Sequence, residues 1–363
     1  MPRRTATLLT STLLLIGMLC AGVLIHVPYA EMSPGPTVNT LGEHDGEPVL
    51  SIDGERTYDS EGHLNMTTVR VTGVDYRMNL LEAVHGWLSD DAAVVPYETL
   101  YPEDVSADQV EEQNAEEFSA SQESAKVAAL EELGFEVGSQ TIVAAVVEDA
   151  PAQDKLHAGD AIVAVDGTEV TEPGQVAELV TEHEAGEDVV FTIVPAEEAQ
   201  AALDAGEPLP TDTEDVTITT AEAPEDQRAI VGIQAGLAHS FPFEIDIELA
   251  DVGGPSAGLM FALGLVDRLT EEDLTGGAFV AGTGTIDEEG TVGPIGGVTM
   301  KTIAAREAGA EFFLTPEDNC SVAAQDVPDG LTLVRVGSLD DALAALTDIR
   351  EGDTGDLPRC EAE

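Results

Sequence analysis

The feature that most constrains this fold is an uncharged segment near the beginning of the chain. Arg3 and Arg4 precede residues 5–30, which contain no charged side chain and include the apolar run LLTSTLLLIGMLCAGVLIHV. About 20 apolar residues cross a bilayer as a helix, whereas the apolar part of a cleaved signal peptide is usually about 7–15 residues long. We therefore predict that residues 1–30 form a cytoplasmic stub and a transmembrane signal anchor, with a cleaved signal peptide as the alternative. The positive-inside rule keeps the arginines in the cytoplasm and puts the acidic bulk of the chain outside the cell membrane.

The charge of the chain is strongly one-sided. Among 363 residues, 71 are acidic and 14 are basic, which gives a formal net charge of −57, and 43% are hydrophobic. This hydrophobic content supports folded cores, and the length favours two or three domains. The negative charge excludes a phosphate-binding surface, so nucleic acid is not an expected partner. Two hypotheses fit the charge: adaptation to a salty medium that screens self-repulsion, or an ordinary acidic protein without that adaptation.

The cysteines form no metal-binding or redox motif. Cys20 lies in the predicted anchor, and no CxxC spacing involves Cys320 or Cys360. On an oxidising side of a membrane the last two could pair, and the sequence leaves this open because Cys360 lies in a polar tail. The run HEAGE at residues 183–187 lacks the second His of a zincin motif. We expect no metal and no cofactor.

Composition divides the rest of the chain into five segments. Pro and Gly in residues 31–48 predict an extended linker, alternating runs in residues 49–75 predict strands, and residues 103–132 predict an acidic helix. The predicted limits are residues 31–125 for a linker with strands and helices, 126–196 for a small β-rich domain, 197–228 for an acidic linker, 229–350 for an α/β domain and 351–363 for a frayed tail. The sequence leaves open whether the β-rich domain is inserted within one α/β domain whose sheet includes the strands of residues 49–75.

Residues 126–196 contain turns and strands in a distinctive order. The apolar-Gly-apolar run Leu133-Gly134-Phe135 is followed by TIVAAVV, by LHAGDAIVAVDGTEV with its Gly-Asp and Asp-Gly turns, by PGQVAELVTEH and by EDVVFTIVP. This order resembles a PDZ domain, a fold that binds an extended peptide by strand addition and holds its terminal carboxylate with loop amides. The resemblance implies that Leu133, Gly134 and Phe135 form this loop and that unfolded or C-terminal protein segments are bound. The alternative is a β-rich spacer without a ligand.

Ser256 is the first candidate for chemistry. It lies in the run DVGGPSAG, directly before the apolar stretch LMFALGLVDRL. A Gly-Gly-Pro turn before an amphipathic helix places this serine near a helix N-terminus, where free amides can stabilise an oxyanion. Gly254, Pro255 and Ala257 are the turn and oxyanion candidates. A serine after proline is also a common helix-capping residue, so this motif alone leaves both interpretations open.

Lys301 is the second candidate. The chain has only three lysines, and Lys301 lies on a helix predicted from about Val298 to Ala308, with no carboxylate within five residues on either side. In apolar surroundings the pKa of a lysine falls, and the neutral amine can take a proton from a serine hydroxyl. The alternative is a lysine that extends along the helix into solvent.

Together, GGPSAGLMFAL and AGTGTIDEEGTVGPIGGVTMK resemble the proteolytic domain of the Lon family, whose members are Ser-Lys proteases. The resemblance covers about residues 229–350. It implies that Ser256 is the nucleophile, that Lys301 is the general base and that Thr283 helps to position them. With the anchor, the PDZ-like segment and Asn319-Cys320, the whole chain resembles the membrane-anchored, PDZ-containing branch of that family (YlbL-type).

Two departures from ATP-driven Lon proteases change the expected activity. The chain has no G-x-x-x-x-G-K-[ST] loop, so powered unfolding of substrates is not expected. Gly253 stands where those proteases usually have an acidic residue, and Asp251 is the nearest candidate to replace it. A Ser-His-acid triad is the rival scheme, but His239, the histidine in the Lon-like segment, is interpreted as structural or solvated.

The resulting hypothesis is an α/β Lon-type proteolytic domain with a PDZ-like β-rich domain and an N-terminal transmembrane helix. The resemblance implies an ATP-independent serine endopeptidase that cleaves membrane or extracytoplasmic proteins presented by its PDZ domain. It also implies a homo-oligomer, because Lon-type domains assemble as rings. The alternative is a non-catalytic, membrane-tethered PDZ adaptor on a Lon-like scaffold.

The charge hypothesis predicts that salt stabilises the protein. At about 1 M salt the Debye length is roughly 3 Å, so repulsion among the carboxylates is screened. We expect the midpoint of thermal unfolding to rise between about 0.01 M and about 1 M NaCl, measured by circular dichroism. Equal midpoints at the two concentrations would contradict adaptation to salt.

Overall fold

The computed structural model describes residues 3–89, 91–101, 106–224, 227–249 and 252–362. Within these ranges the helices are α1 (Arg3–Leu24), α2 (Leu80–Leu88), α3 (Tyr97–Leu100), α4 (Ala107–Glu132), α5 (Pro173–Thr181), α6 (Ala196–Ala205), α7 (Gly258–Leu269), α8 (Val298–Ala308), α9 (Cys320–Ala323) and α10 (Leu339–Glu351). The strands of the first half are β1 (Tyr29–Asn39), β2 (Glu43–His44), β3 (Glu47–Pro48), β4 (Leu50–Asp53), β5 (His63–Val71), β6 (Ala93–Pro96), β7 (Gly138–Val146), β8 (Ala161–Val165), β9 (Thr168–Glu169) and β10 (Asp188–Val194). Those of the second half are β11 (Glu214–Thr219), β12 (Ala221–Glu222), β13 (Ala229–Ile230), β14 (Ile233–Ser240), β15 (Glu244–Ile247), β16 (Phe279–Gly282), β17 (Thr285–Ile286), β18 (Val292–Gly293), β19 (Phe312–Pro316) and β20 (Thr332–Val336).

The chain divides into two compact units. Unit 1 comprises Met1–Leu133 together with Ile245–Glu363, and unit 2 comprises Gly134–Glu244. In the sequence, unit 2 is therefore an insertion between α4 and β15. This division answers the question that the sequence left open.

Helix α1 is a candidate membrane span. Its last 18 residues, Thr7–Leu24, have a mean hydropathy of 2.1, and only 6% of that segment is buried. Length and composition are those of a helix that can cross a bilayer.

Unit 1 is built on a six-stranded sheet with the order β20-β19-β16-β5-β1-β6. Strands β5, β16, β19 and β20 are parallel, and β1 runs antiparallel to both of its neighbours. Strands from both sides of the insertion thus form one sheet. Helix α7 is buried from Gly258 to Asp267, because apolar residues occupy nearly every face of it.

The prediction of an extended linker at residues 31–48 was wrong. Its first half, residues 31–39, belongs to β1, which pairs with both β5 and β6, and its second half contains β2 and β3. The register of β1 against β5 shifts between Pro34 and Thr37, and Thr68 donates a side-chain hydrogen bond to the Pro36 carbonyl over 2.8 Å. Proline fits into a strand at such a bulge, where a ladder hydrogen bond is already missing. Strands β1, β5 and β6 of the predicted region 31–125 belong to the sheet of unit 1, which the sequence had left open.

Helix α4 confirms the predicted acidic helix and shows which face of it is buried. It begins after the cap residue Ser106, and the first predicted residues, 103–105, lie outside the described ranges. Phe118, Ser121 and Ala125 are buried, and the ring of Phe118 meets that of Phe261 on α7 edge-on at 5.9 Å. The carboxylates of α4 therefore face solvent, and only a narrow face of the helix packs on the rest of unit 1.

Unit 2 has a five-stranded sheet with the order β11-β10-β8-β7-β14 around a core that includes Val165, Phe191 and Ile218. The predicted strands and helix of residues 138–194 are confirmed, but the predicted domain limits were wrong. Residues 126–132 belong to α4 and Leu133 is its C-cap residue. The predicted linker 197–228 contains most of α6 and all of β11, and residues 229–244 supply β14 to this unit. In β11, buried Ile218 alternates with exposed residues, so a high acidic content concealed a half-buried strand.

The predicted frayed tail was wrong from Leu357 onward. Leu357 is buried, and the amide of Arg335 on β20 donates to the Pro358 carbonyl over 2.7 Å. Cys360 forms a disulfide with Cys320, the first residue of α9. The end of the chain is therefore held against the edge of the sheet.

Candidate active site

The loop that carries Ser256 is fixed by helix α4. Gly254 has a positive φ of 80°, and its amide donates to the Asn114 carbonyl over 3.0 Å. The hydroxyl of Ser121 donates to the Pro255 carbonyl over 2.9 Å. Two turns of α4 thus hold the Gly-Pro turn, which gives Ser256 a defined backbone position.

Ser256 precedes the first residue of α7 by two positions, as predicted. Ala257 is the N-cap residue, and a Cβ at Gly258 would come within 2.7 Å of the Ser121 hydroxyl. Within the described residues, the amides of Ser256 and Ala257 have no hydrogen-bond acceptor. Such amides at a helix start carry a partial positive charge and can bind an anionic oxygen.

Lys301 is buried beside Ser256. Its side chain is 1% exposed, and its Nζ donates to Ser256 Oγ over 2.7 Å and to Thr283 Oγ1 over 2.8 Å. Burial lowers the pKa of Lys301 to about 7, because the charged amine loses its solvation. The buried setting predicted from the sequence is therefore confirmed, and the interpretation of a solvent-facing lysine is wrong.

Thr283 links the lysine to the backbone of the serine. It is fully buried, and its Oγ1 donates to the Ser256 carbonyl over 2.9 Å while accepting from Lys301 Nζ. The amide of Gly284 donates to the same carbonyl over 3.0 Å. The segment between β16 and β17 therefore sets the distance between the hydroxyl and the amine.

Helix α8 presents Lys301 from its first turn. It runs from Val298 to Ala308 and is capped by Gly309, as predicted. Its N-cap residue Gly297 has a positive φ of 69°. Ile295, which precedes the helix, is held by the side chain of Asn319. This side chain accepts from the Ile295 amide over 2.9 Å and donates to the Ile295 carbonyl over 3.0 Å. This two-point contact holds the PIGG turn that leads into α8.

A groove of about 530 Å³ in unit 1 opens onto the serine and the lysine. Its lining residues are Pro36, Met66, Thr68, Val69, Arg70, Val71, Asn114, Val252, Gly253, Gly254, Ser256, Ala257 and Lys301. Sequence reasoning missed the contributions of β5 and of Asn114. The signal for the latter was weak: Asn114, Phe118, Ser121 and Ala125 share one face of α4 at the spacing of a packing helix.

Two other predicted candidates lie elsewhere or outside the described residues. His239 is on β14 of unit 2, so it is not part of the groove that holds Ser256. Asp251 lies outside the described residues.

Unit 2 has an apolar groove of its own, with a volume of about 410 Å³. It lies between α5 and the segment from Arg228 to Ala235, and Val176, Val180 and Ile233 are among its lining residues. Gly232 in this segment has a positive φ of 76°.

The predicted peptide-binding loop does not line this groove: Leu133, Gly134 and Phe135 are not among its lining residues. Leu133 and Gly134 end helix α4, with Gly134 at φ 77°, and the ring of Phe135 packs on Phe243. An apolar-Gly-apolar run is also a helix C-cap signal, and here it acts as one.

Both units match known protein families. Residues 250–347 match the sequence model of the Lon protease (S16) C-terminal proteolytic domain. This chain contains a Lon-type proteolytic domain. Residues 111–200 match the model of the PDZ domain, so the chain contains a PDZ domain as well.

The relatives of the Lon-type domain are Lon proteases. Lon protease 1 of Bacillus subtilis is 33% identical over 119 residues, which is 31% of this chain and 15% of that protein. Lon protease 1 of Sorangium cellulosum is 38% identical over 101 residues, 27% of this chain and 12% of that protein. The chain thus spans only a small part of these relatives. Among solved structures, the PDZ domain of the SdrC-like protein of Listeria monocytogenes matches 26% of this chain and 86% of that one, with 22% identity and a TM-score of 0.21.

The burial of Lys301 in the Lon-type domain predicts a pH-dependent stability. Between a folded pKa of about 7 and an unfolded pKa of 10.5, the unfolded state binds more protons, so stability rises with pH. We expect Lys301→Met to increase the free energy of unfolding below pH 7, by up to about 5 kcal/mol, and to lose this advantage as the pH approaches 10. Urea unfolding of the wild type and the variant at several pH values measures this difference in the free energy of unfolding. The same gain at all pH values would contradict a buried, titrating amine.

Proposed function

We propose that the chain is an ATP-independent serine endopeptidase in which Ser256 and Lys301 form a catalytic dyad. The single observation that carries the proposal is the 2.7 Å contact between Lys301 Nζ and Ser256 Oγ in a site where burial brings the lysine pKa to about 7. A base with a pKa near the working pH is suited to proton transfer. The match of residues 250–347 to a proteolytic domain supports the same reaction class.

The reaction follows from the positions of these groups. Neutral Lys301 takes the proton of the Ser256 hydroxyl while Oγ attacks the scissile carbonyl, and the resulting ammonium donates that proton to the leaving amine. Water then attacks the acyl-enzyme, with Lys301 accepting its proton and returning it to Ser256 Oγ. In this scheme Thr283 is a positioning residue, because it contacts the lysine amine and the serine carbonyl.

The oxyanion of each tetrahedral intermediate requires donors close to Ser256. The amides of Ser256 and Ala257 are suited to this role, since each lacks an acceptor within the described residues and both adjoin the start of α7. Gly254 and Pro255 then act as the turn that holds these amides in place.

The groove favours an extended substrate. Pairing of β5 with β16 ends at Met66, so the β16-facing edge of the next residues, up to Val71, is not covered by that strand. Thr68 and residues 69–71 among them line the groove beside Ser256. A peptide could add to this edge as a strand, which requires an unfolded or locally extended chain.

We place substrate recognition in the PDZ domain, in the groove between α5 and β14. This groove has the composition of a strand-addition site, with an apolar helix face opposite a strand that follows a glycine turn. It replaces Leu133–Phe135 as the proposed peptide site. Its ligands are C-terminal or unfolded segments of membrane or extracytoplasmic proteins.

The proposed location is the cell membrane, with α1 as a single span. Arg3 and Arg4 precede the span and the acidic bulk follows it, so the positive-inside rule keeps the N-terminus in the cytoplasm and the proteolytic domain outside. A ring-shaped homo-oligomer is proposed by analogy with Lon-type domains.

The dyad predicts the effects of three changes on peptide cleavage. Ser256→Ala removes the nucleophile, and Lys301→Arg keeps a charge that cannot be lost at usable pH, so each should reduce kcat/KM for an unstructured peptide by at least about 10³-fold. Thr283→Val should lower kcat and shift the pH profile, because the amine loses a hydrogen-bond partner. In the wild type, kcat/KM should rise with pH through about 7, where Lys301 becomes neutral.

The same variants test the adaptor alternative, which the separate apolar groove of the PDZ domain favours. If the protein is an adaptor, all three variants bind its ligand normally. The wild-type protein then cleaves no peptide. Absence of cleavage by the wild type at molar salt would therefore contradict the protease and support the adaptor.

The location of the peptide groove predicts which surface change blocks binding. Ala177 lies on α5 and lines the groove, so Ala177→Tyr should weaken binding of apolar C-terminal peptides by about tenfold or more. Glu178→Tyr places the same side chain on the next residue, which does not line the groove, and should bind normally. Fluorescence anisotropy at molar salt measures both. Equal affinities of the two variants would contradict the proposal that this groove binds the peptide.

A further inference from the structure

Helix α2 of unit 1 exposes an apolar face to solvent. This apolar face of α2 consists of Leu81, Val84, Trp87 and Leu88, which are 36%, 39%, 54% and 82% exposed. At 3.6 residues per turn they lie within an arc of about 120°. The opposite side contains Ala83 and Gly86, which are buried against the unit. A helix that packs on its own domain through its smallest residues and exposes its largest ones requires an apolar partner.

Backbone hydrogen bonds tie α2 to the end of the candidate membrane span. The amide of Leu80, its first residue, donates to the Ile25 carbonyl over 2.9 Å, and the amide of Val27 donates to the Met78 carbonyl over 2.9 Å. Asn79 and Glu82 form a capping box that fixes the start of the helix. The position of α2 is therefore set by the residues that directly follow α1.

The side chains place α2 at the level where α1 ends. A Cβ at Gly22 would lie 2.7 Å from Leu81 Cγ, so Leu81 packs on α1 two residues before its last residue, Leu24. Two residues correspond to about 3 Å along a helix. If α1 crosses a bilayer, the apolar face of α2 lies at the boundary between headgroups and acyl chains.

Aromatic residues are concentrated in the same region. The only tryptophan of the chain, Trp87, meets the ring of Tyr29 edge-on at 5.4 Å. Tyr29, Tyr76 and Tyr97 line one cavity, and the ring of Tyr101 lies 5.0 Å from that of Tyr97, so four of the five tyrosines lie in this region. Tryptophan and tyrosine are the residues that prefer the membrane–water interface, because their rings are apolar and their polar atoms reach water.

We propose that α2 is an interfacial helix whose apolar face inserts into the outer surface of the bilayer that α1 crosses. This inference rests on the membrane anchoring proposed above. It gives unit 1 a second contact with lipid, beside the span, and so restricts the orientation of the proteolytic domain relative to the membrane. The occupant is lipid, since the face is continuous with the lipid-facing surface of α1. The driving force is apolar burial and not attraction to anionic headgroups, because the chain carries a net charge of −57.

The single tryptophan provides the test. The full chain is reconstituted into vesicles of pure phosphatidylcholine, which contain no protein partner, and Trp87 fluorescence is measured with lipids brominated at the upper part of the acyl chain. Interfacial helices lie about 5–10 Å into this boundary, so we expect the brominated lipid to remove about half of the emission. Neutral acrylamide in the water should quench Trp87 weakly.

Two variants serve as controls. Trp87→Phe combined with Val322→Trp moves the reporter to α9, which packs on β19 and β20 at the opposite edge of the sheet from α2. Val322 is 49% exposed, and this reporter should be quenched by acrylamide and not by brominated lipid. Leu88→Glu places a charge on the apolar face and should reduce quenching of Trp87 by brominated lipid, while the protein still floats with the vesicles.

The outcomes separate the helix from the anchor. If the protein floats with the vesicles but Trp87 is quenched by acrylamide and not by brominated lipid, the inference is overturned and the anchor stands. The inference is also overturned if Leu88→Glu leaves the quenching by brominated lipid unchanged. If the protein does not float with the vesicles, both the anchor and the inference fail, whereas the Ser-Lys dyad is unaffected.

Discussion

A lysine amine held away from water is the constraint on which the rest of unit 1 depends. The charged form of a buried amine is costly, so the site stabilises the neutral form, and this is the form that can accept a proton. The neutral amine still needs hydrogen-bond partners, and the hydroxyls of Ser256 and Thr283 supply them. Burial and partners come from different elements, because α8 carries the lysine, the start of α7 carries the serine and the segment after β16 carries the threonine. The fold therefore fixes three separate segments to within hydrogen-bond distance of one amine.

The ends of the inserted unit are held together, because they lie on paired strands. Near its beginning, Gly138 on β7 is the register partner of Ser240 on β14 near its end. A long flexible insertion imposes an entropic cost of loop closure on the residues that it separates, and a folded insertion with paired ends removes most of that cost. Helix α4 before the insertion can then contact the loop of Ser256 after it, as the bonds from Ser121 and to Asn114 show. The carboxylates of α4 face solvent, while its narrow buried face holds the serine loop.

The elements that carry Ser256, Thr283 and Lys301 were easier to assign from the sequence than the domain limits, and the reason is physical. Ser256, Thr283 and Lys301 lie in short runs whose glycines, prolines and missing carboxylates are local signals, so their elements could be assigned from a few neighbouring residues. Strand β1 could not, because its prolines are tolerated only at a bulge that depends on β5. Strand β11 was concealed by acidic residues on its exposed face, and Leu133-Gly134-Phe135 is the same local signal in a helix end and in a peptide-binding loop. The groove residues of β5 come from a distant segment, and only the sheet order brings them beside Ser256.

In the proposed function the protease has no nucleotide-driven motor, so its activity depends on how its substrate is delivered. The chain has no phosphate-binding loop, so in the proposed function the energy for extending a substrate comes from the substrate's own disorder or from binding. In the proposed function, a peptide bound in the PDZ groove is held by the same chain that carries Ser256, which raises its local concentration for the dyad. The proposed membrane anchor would act in the same direction, because it would restrict the enzyme and a membrane-bound substrate to one surface. In the proposed function, the open strand edge beside Ser256 accepts only an extended chain, and the PDZ groove and the membrane anchor keep that chain close to the dyad.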